Sequence, residues 1–340
     1  MRKIAIIFGG KSVEHEVSIL TGLHAAKNVL EGVKVQLVYL DRDNKMWQAK
    51  SLDRLRAKKL KKVDADVVLN CCHGGVGEAG ELAAMLEVMG IPVTSSGVVA
   101  AKKMMSKAES RKILSENKAF IQPQYVVLSC IGMTDILQDI VVVKPDTLGS
   151  SIGVSVARDS AELRSAIELA LSFDERVIVE EFLEGAVEVN CAAFRLGEDI
   201  IVSECEVIGD SMSGILGFSD KYLGEVPQFI IKKKTVEVPN PKYEKLFEQI
   251  KSLTRQAYEL FEADGVVRCD FLVVGDKIYL NELNSVPGFL AYHLFMRAGI
   301  PYGVLIDMVC RQAIDKFKSR QNKVTKFQSN ILENNRALVE

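Results

Sequence analysis

Along the first hundred residues, stretches with the hydrophobic pattern of a strand alternate with stretches that have the hydrophobic pattern of a helix. Short apolar runs, typical of buried strands, occur at 3–8, 33–40, 64–72 and 91–97. Helical patterns lie between them, and Ser18 is the expected N-cap of the first helix. Because strand and helical patterns alternate, we predict an α/β unit with parallel strands at this end of the chain.

The rest of the chain continues as a mixture of strands and helices. A Lys-rich helical stretch, 98–120, marks the first expected domain boundary. Beyond it the pattern predicts strands at 124–128, 139–144 and 175–183, a helix at 159–172, two strands within 188–208, a helix at 241–263 and a hairpin at 266–284. A long Gly/Ser-rich segment, 209–227, is expected to be a functional loop, since long structureless connections are uncommon in compact domains.

Composition narrows the classes of protein that fit this pattern. The chain has 340 residues, enough for two or three domains. Its 43 Lys and Arg against 45 Asp and Glu give a net charge of −2, which argues against a nucleic-acid-binding protein. No apolar run approaches the roughly 18 residues of a membrane span, and the seven Cys form no CxxC pair. We therefore expect a reduced, cytoplasmic protein without nucleic-acid or membrane partners.

The C-terminal hairpin carries the clearest candidate chemistry. Arg268 and Asp270 are two residues apart on its first strand, so their side chains share one face of the sheet. Glu282 and Asn284 share a face of the second strand for the same reason. Oxygen ligands from Asp, Glu and Asn suit a hard cation such as Mg²⁺. The other interpretation is a charged hairpin that faces solvent, but the neighbouring residues are apolar, and a carboxylate among them needs a partner.

The pairing register decides whether these four side chains can face one another. They share a face only if 270 pairs with 282 and 268 with 284. A regular hairpin with a two-residue turn at Gly275-Asp276 would pair 274 with 277 and place Asp270 away from Glu282. The sequence therefore predicts a three-residue loop or a β-bulge, with Gly275 or Asp276 at positive φ.

Two other segments favour a bound nucleotide. Lys144 ends an apolar strand and precedes the loop PDTLGSSIG, 145–153, whose N–H groups and hydroxyls could cover a phosphate. Glu180 and Glu188 lie in and near another apolar strand, where they could accept hydrogen bonds from an adenine amino group and a ribose. Either segment alone is equally typical of a surface loop.

A different class of function is suggested by GVGEAG at 75–80. This segment matches the GxGxxG dinucleotide signature between a predicted strand and a predicted helix. The acidic residue expected about 20 positions further on is absent, because 94–104 reads TSSGVVAAKKM. An NAD(P)-binding protein therefore remains as an alternative that rests on this motif alone.

Taken together, the motifs resemble those of the D-alanine–D-alanine ligase family, which belongs to the ATP-grasp ligases. The resemblance covers about residues 3–312 and rests on eight segments in order: GGKSVEHEVS (9–18), HGGVGEAGELAAMLE (73–87), SGVVAAKKMMSK (96–107), VVVKPDTLGSSIG (141–153), the strand with Glu180 and Glu188, KYL (221–223), VRCDF (267–271) and NELNSVPGF (281–289).

The resemblance implies an α/β ATP-grasp fold of three α/β or α+β domains. These are a Rossmann-like N-terminal substrate domain at 1–100, a central ATP-grasp subdomain at 101–185, and a C-terminal ATP-grasp catalytic domain at 186–318, followed by a polar tail at 319–340. It also implies ATP-dependent joining of two D-alanines through an acyl phosphate for peptidoglycan synthesis. The implied partners are ATP, D-alanine, two Mg²⁺ ions (with Mn²⁺ as the alternative ion) and a second copy of the chain in a homodimer.

The family's site residues carry over by position. Glu14 would hold the ammonium of the first D-alanine and His73 would line its pocket, with Ser150 and Tyr222 linked to Glu14. Arg268 and the N–H of Gly288 would form the oxyanion hole. The residues implied for ATP are Lys107, Lys144, Lys221, Glu180, Glu181, Phe182, Leu183 and Glu188. Those implied for the metal ions are Asp270, Glu282 and Asn284, with Glu282 bridging.

The departures from the family pattern cluster on the side of the second substrate. Ala79 stands where the family usually has Asp, and Ser285-Val286 precede the Pro-Gly pair. His293, followed by Leu294, stands where a Ser normally receives the carboxylate of the second substrate, and the segment after it is about four residues shorter, roughly one helical turn. D-serine or another small amino acid therefore remains open as the second substrate, while the retained Tyr222 favours an amino acid over D-lactate.

Overall fold

The computed structural model describes residues 3–49, 57–131, 140–208 and 241–321. The first sheet has the order β4-β3-β2-β1-β5. Its strands are β1 (Lys3–Gly9), β2 (Lys34–Leu40), β3 (Met46–Ala49), β4 (Ala57–Lys59) and β5 (Val67–Asn70). Strand β1 pairs in parallel with both β2 and β5, as the alternating pattern predicted. The helices that follow are α1 (His15–Asn28), α2 (Gly75–Glu78), α3 (Glu81–Val88), α4 (Val98–Met105) and α5 (Lys107–Ser115).

A second, antiparallel sheet has the order β6-β9-β7-β8. Its strands are β6 (Tyr125–Leu128), β7 (Val141–Pro145), β8 (Ser155–Ala157) and β9 (Val177–Glu181). Helix α6 (Ser160–Leu171) is capped by Asp159, whose carboxylate accepts from two backbone N–H groups of the first turn. The apolar side of α6 packs on this sheet and forms its core.

The third sheet carries the hairpin. Its strands are β10 (Val187–Leu196), β11 (Asp199–Val202), β12 (Glu206–Ile208), β13 (Val267–Val274) and β14 (Lys277–Asn284), in the order β11-β10-β13-β14 with β12 also paired to β10. The remaining elements are α7 (Pro241–Leu260), a short 3₁₀ segment (Gly288–Ala291), α8 (Tyr292–Arg297) and α9 (Tyr302–Gln321). Each of the three sheets lies inside one of the three domain ranges expected from the sequence.

The hairpin reaches the expected register through a bulge. Val274 pairs with Lys277, so the turn has two residues, and Gly275 has φ +59°. Farther along, Phe271 pairs with Leu280 while Asp270 pairs with Glu282, which leaves Asn281 as the extra residue. This β-bulge shifts the register by one and also pairs Arg268 with Asn284. The bulge and the positive φ predicted from the sequence are confirmed.

Three local predictions were wrong. Helix α1 begins at His15 rather than after Ser18, whose hydroxyl instead accepts from the N–H of His73. Segment 91–97 forms only isolated bridges at Val93 and Ser95, because the chain crosses the sheet edge there without a continuous ladder. Residues 187–208 form three strands rather than two, since β10 meets both β11 and β12 along its length.

The C-terminal helices connect the first sheet to the third. Ile4, Ile6 and Phe8 of β1 share one buried cluster with Leu294 and Leu305. Six of the seven cysteines are buried, and all are free thiols. Within the described ranges no single helix is long and apolar enough to cross a membrane, and only the bent pair 288–297 and 302–320 meets that test jointly.

Candidate active site

A cleft lies where the start of α1, the loop before α2, the loop after β7 and the end of β14 meet. Glu14 is buried at the first of these positions, and the Ser150 hydroxyl donates to its Oε1 from the loop after β7. Gly74 has φ +63°, and a Cβ there would lie 2.4 Å from the Ser12 Oγ, so this close approach requires glycine. The sequence-predicted residues Glu14 and Ser150 are therefore brought together.

His73 joins the N-terminal and C-terminal parts of this cleft. Its Nε2 lies 2.7 Å from the Thr21 Oγ1 on α1, and its Nδ1 lies 2.6 Å from the Val286 carbonyl beyond β14. Burial lowers the pKa of His73, although the carboxylate of Glu14 opposes this. The ring of His73, which the resemblance places in the pocket of Glu14, is thus held by two hydrogen bonds.

A second cleft continues from the first, between the ends of β7 and β9 and the bulged part of β14. It is lined by Lys107, Lys144, Glu180, Glu181, Phe182, Leu183, Glu188 and Glu282. Lys107 and Glu282 also line the first cleft, so the two clefts are continuous. All the described residues that the resemblance implies for ATP therefore lie together.

Both carboxylate oxygens of Glu180 are occupied by cations. Lys144 Nζ donates to Oε2 at 2.6 Å and Arg111 Nε donates to Oε1 at 2.6 Å. Burial alone would raise the pKa of Glu180, but these two ion pairs hold it at about 2. Lys144 also reaches Asn281 Oδ1, the bulge residue, at 3.0 Å. The neighbouring Lys107 Nζ donates to the Leu148 carbonyl at 2.6 Å.

Two backbone N–H groups next to Glu180 already donate hydrogen bonds to other backbone groups of the protein. The N–H of Glu181 donates to the Gln124 carbonyl at 2.9 Å, and the N–H of Phe182 donates to the Ile140 carbonyl at 3.2 Å. A base placed along 181–183 would therefore meet the side chain of Phe182 and the backbone of Leu183 rather than those two donors.

The bulged hairpin brings its four polar residues together. Arg268 donates from Nε to Asp270 Oδ1 at 2.5 Å and from Nη2 to Oδ2 at 2.6 Å. Asn284 Nδ2 donates to the same Oδ2 at 3.0 Å. Burial, with a smaller effect from Glu282, raises the pKa of Asp270 to about 6 in spite of Arg268.

This set of residues fits a magnesium ion. In the described part of the chain, no group of three or more His, Cys, Asp or Glu residues is arranged to hold a metal ion. The candidate ligands in the hairpin are two carboxylates, Asp270 and Glu282, and the side-chain amide of Asn284. The charge of Glu282 raises the pKa of the buried Asp270, and a cation bound beside both carboxylates would remove this repulsion. Mg²⁺ keeps several waters and takes oxygen ligands from one or two carboxylates and from substrate phosphates.

The segment after β14 has an unusual backbone. Phe289, Leu290 and Ala291 have φ values of +51°, +54° and +49°, and the Phe289 N–H donates to Thr21 Oγ1 at 3.1 Å. Gly288 begins this turn. The side chain of Leu294 is fully buried in the core, so only its backbone can face a substrate.

His293 is paired inside the protein. Its Nε2 lies 2.9 Å from Glu206 Oε2, and Arg297 Nη2 lies 3.3 Å from Glu206 Oε1. The sequence analysis did not identify Glu206 as a partner of His293. Lys221, Tyr222 and the loop 209–227 lie outside the described residues.

Two protein-family models match this chain, and each matches residues of the site described above. The model described as "D-ala D-ala ligase C-terminus" matches residues 114–315, and the model described as "D-ala D-ala ligase N-terminus" matches 3–65. The chain belongs to the D-alanine–D-alanine ligase family. This membership favours the view that GVGEAG at 75–80 is part of the ligase loop that carries His73 and Glu78, rather than a dinucleotide site.

Relatives of this ligase family match over nearly the whole chain. The D-alanine–D-alanine ligase of Thermosipho africanus is 32% identical and covers 98% of this chain and 99% of its own length. The corresponding ligase of Nitratiruptor sp. is 32% identical over 86% of this chain and 89% of its own.

Solved ligase structures share the fold. The Coxiella burnetii D-alanine–D-alanine ligase superposes with a TM-score of 0.79 at 20% identity, covering 94% of this chain and 97% of its own. The Bacillus anthracis ligase complexed with ATP has a TM-score of 0.73 at 25% identity, covering 94% of this chain and 100% of its own. The Enterococcus faecalis VanG D-Ala:D-Ser ligase has a TM-score of 0.75 at 23% identity, covering 92% and 99%. The ATP-grasp fold is thereby confirmed.

Two residues of the ligase site, Arg111 and Glu78, were not predicted from the sequence. Arg111 is almost fully buried, and it lies in a Lys-rich helical stretch whose charges would normally face solvent. Glu78 accepts from the Gly74 N–H at 2.9 Å and from the Val286 N–H at 3.4 Å. Burial and the charge of Glu14 raise the pKa of Glu78 to about 7. The only signal for Glu78 was its place in the HGGVGE segment.

Proposed function

We propose that the protein joins two molecules of D-alanine in a reaction driven by ATP, through an acyl-phosphate intermediate, for peptidoglycan precursor synthesis. The observation that carries this proposal is the continuity of the two clefts: Glu14 lies in one, Lys144 and Glu180 lie in the other, and Glu282 borders both. A carboxylate held near Glu14 would therefore lie within reach of a terminal phosphate near Lys107 and Lys144.

The first D-alanine is held by its charged groups. Glu14 accepts from the substrate ammonium, and Ser150, which already donates to Glu14, fixes the carboxylate of that side chain. His73 closes the pocket beside them. Its two ring hydrogen bonds to Thr21 and Val286 keep the imidazole from turning away.

ATP lies in the second cleft. Lys107 and Lys144 contact its phosphates, with Lys221 joining them from outside the described residues. Phe182 packs against the base, Leu183 offers its backbone, and Glu188 accepts from the ribose. Glu180 acts here mainly through its ion pair, because it sets the position of Lys144.

Asp270, Glu282 and Asn284 would hold two Mg²⁺ ions, or Mn²⁺ in their place. Such ions neutralise phosphate oxygens on which charge accumulates during phosphoryl transfer. Arg268 and the N–H of Gly288 face the acyl carbon and stabilise the oxyanion as the amine of the second amino acid attacks. The family resemblance assigns the exclusion of water from the acyl phosphate to Tyr222 and the loop 209–227, which lie outside the described residues.

A second candidate function is ligation of D-alanine to D-serine or another small amino acid. It is favoured by His293, which stands on the second-substrate side and is paired with Glu206. The D-alanine and D-serine reactions share the first substrate, the nucleotide and the metal ligands, so the same chemistry serves both.

We further propose a cytoplasmic homodimer. Met85, Val88, Met89 and Val99 of α3 and α4 are exposed apolar side chains that a second copy would cover. Sedimentation of the purified protein at two concentrations distinguishes a dimer from a monomer.

Release of ADP and phosphate tests the proposed function. We expect release with ATP, Mg²⁺ and D-alanine, and none with L-alanine; pairing D-alanine with D-serine or D-lactate identifies the second substrate. Asp270→Asn and Arg268→Ala should each lower the rate by about 10²–10³-fold, the usual cost of one stabilising group in such a site. The matched control is Asp276→Asn in the hairpin turn. Turnover that survives both site substitutions unchanged rules out the mechanism.

A further inference from the structure

A buried carboxylate, Asp146, lies beside the nucleotide cleft and has no part in the proposed chemistry. It comes directly after Pro145, the last residue of β7, and is only 1% exposed. A buried charge is costly unless hydrogen bonds and an ion pair compensate it. The partners of this carboxylate therefore show what it holds in place.

The Asp146 carboxylate joins the start of α5 to the segment before β9. Its Oδ1 accepts from the Ala108 N–H at 2.8 Å, and the Ser106 hydroxyl lies 3.0 Å from each carboxylate oxygen. Its Oδ2 also accepts from Arg176 Nη2 at 2.6 Å. Asp146 thus caps the helix from a neighbouring strand, and Arg176 neutralises the charge.

These contacts fix the backbone of Lys107, the first residue of α5. The Lys107 N–H donates to the Asp146 carbonyl at 3.0 Å, and the next N–H, that of Ala108, donates to the Asp146 carboxylate. The Glu109 N–H donates to the Ser106 Oγ at 3.1 Å. Because the first three N–H groups of α5 all donate within the protein, its N-terminus offers a phosphate only the ammonium group of Lys107.

The ammonium of Lys107 points into the region shared by the two clefts. Lys107 lines both of them, and its Nζ donates to the Leu148 carbonyl at 2.6 Å. A lysine side chain is a flexible stem that carries a point charge. The position of that charge therefore depends on how firmly the backbone of the residue is held.

The loop that follows Asp146 has anchors of its own. The Thr147 N–H and hydroxyl both donate to Asp174 Oδ2, at 2.7 and 2.8 Å. Farther along the loop, the Ser150 hydroxyl donates to Glu14. Loss of the Asp146 carboxylate should therefore release α5 and Lys107 while Ser150 stays in place beside Glu14.

We propose that Asp146 is a positioning residue for ATP: it caps α5 from β7 and thereby sets the ammonium of Lys107 against the phosphates, with Arg176 keeping the carboxylate in place. This role rests on the proposed function, in which Lys107 contacts the phosphates of ATP and neither Asp146 nor Arg176 has a part.

Calorimetric titration of the full chain with ATP and Mg²⁺, without D-alanine, tests this role at equilibrium. Asp146→Ala should weaken ATP binding about tenfold or more, the effect of losing hydrogen bonds to a charged group. Asp146→Asn keeps an acceptor for the Ala108 N–H and should recover part of the affinity. The stoichiometry of each titration reports the folded fraction, and the Asn variant serves alone if the Ala variant does not fold.

A double-mutant cycle shows whether Asp146 acts through Lys107. Lys107→Ala should weaken ATP binding by itself. Adding Asp146→Ala or Asp146→Asn to Lys107→Ala should then change the affinity less than twofold, because the charge that Asp146 positions is already gone.

The matched control is Asp159→Ala. Asp159 caps α6 in the same manner, since its Oδ1 accepts from the N–H groups of Ala161 and Glu162 at 2.8 Å each. Neither Asp159 nor α6 lines the two clefts. We expect this variant to lose a helix cap and to bind ATP as wild type does, which separates the loss of a cap from the loss of the Lys107 position.

Steady-state ADP release gives a second signature. Asp146→Ala should raise the KM of ATP about tenfold and leave the KM of D-alanine within twofold, because Thr147 and Asp174 still hold the loop that carries Ser150. An equal rise in both KM values would make Asp146 a general structural residue and overturn the proposal.

Two results of the titrations would also overturn it. One is wild-type affinity for ATP in both Asp146 variants, and the other is an equal loss with and without Lys107→Ala. The proposed function fails separately: a wild-type protein that binds ATP but releases no ADP with D-alanine contradicts the ligase reaction and leaves the binding cycle valid. A wild-type protein that binds no ATP contradicts both.

Discussion

The carboxylate of Glu180 shows how a single residue is fixed inside the nucleotide cleft. Arg111 and Glu180 are both almost fully buried, and Lys144 holds the second oxygen. Removing one partner of a buried pair leaves an uncompensated charge, whereas the pair itself contributes little net stability. The arrangement therefore makes Arg111 a residue on which the stability of the protein depends.

We expect Arg111→Ala to destabilise the protein by about 3 kcal/mol, at the lower end for a broken buried pair because Lys144 remains. Urea unfolding of the ligand-free protein measures this. Arg164→Ala provides the control, since Arg164 forms an exposed i,i+4 pair with Glu168 whose loss costs about 0.5 kcal/mol or less. Equal losses of unfolding free energy in the two variants would show that the buried charge of Glu180 does not need Arg111 for stability.

Protonation of Glu78 makes the stability of the folded protein depend on pH. Its pKa rises from 4.5 to about 7 on folding, so the folded state binds the proton more tightly than the unfolded chain. The stability that this proton contributes is present below pH 4.5 and is lost as pH rises through about 7. We expect Glu78→Gln to flatten the fall in Tm between pH 5 and pH 8 relative to wild type. A parallel fall in both proteins would assign the dependence to other groups.

At the scale of the element, the bulge in β14 places the metal ligands. Because Asn281 is the extra residue, a change in register has to be introduced after Glu282 to separate the ligands. Inserting one alanine between Glu282 and Leu283 would place Asn284 opposite Val267 instead of Arg268 and turn it to the other face of the sheet, because a shift of one residue reverses the faces of a strand. We expect this insertion to lower D-alanine-dependent ADP release by about 10²–10³-fold, the usual cost of losing one stabilising group. Asn281→Ala keeps the bulge and loses only the contact to Lys144, so it should retain most activity. An insertion variant with normal activity would contradict the role of the register.

At the scale of the whole molecule, the site forms where the three sheets meet. His73 and Glu78, which follow the first sheet, bind the backbone of Val286, which follows the third, and Ser285 Oγ donates to the Glu78 carbonyl. Helices α8 and α9 add a continuous apolar core between the first and third sheets. These contacts hold the turn at Gly288 against α1, so the proposed oxyanion hole and the proposed amino-acid pocket keep a fixed relative position.

Residue types and their alternation were sufficient to predict the family and the faces of the hairpin strands. Alternation along a strand is a strictly local property, so the parity of 268, 270, 282 and 284 was enough to require either a three-residue loop or a bulge, and the structure has the bulge. The oxygen-rich ligand set and the ordered motifs were likewise visible in the residue types alone.

Only the tertiary structure decided which charges are buried and which are paired. Arg111 and Glu180 are 69 residues apart, and His293 and Glu206 are 87 apart. No sequence period connects such distant positions, so their pairing depends on how the domains pack. The same packing buries Leu294, leaves Asn190 Oδ1 without a donor among the described residues and raises the pKa of Glu78 to about 7.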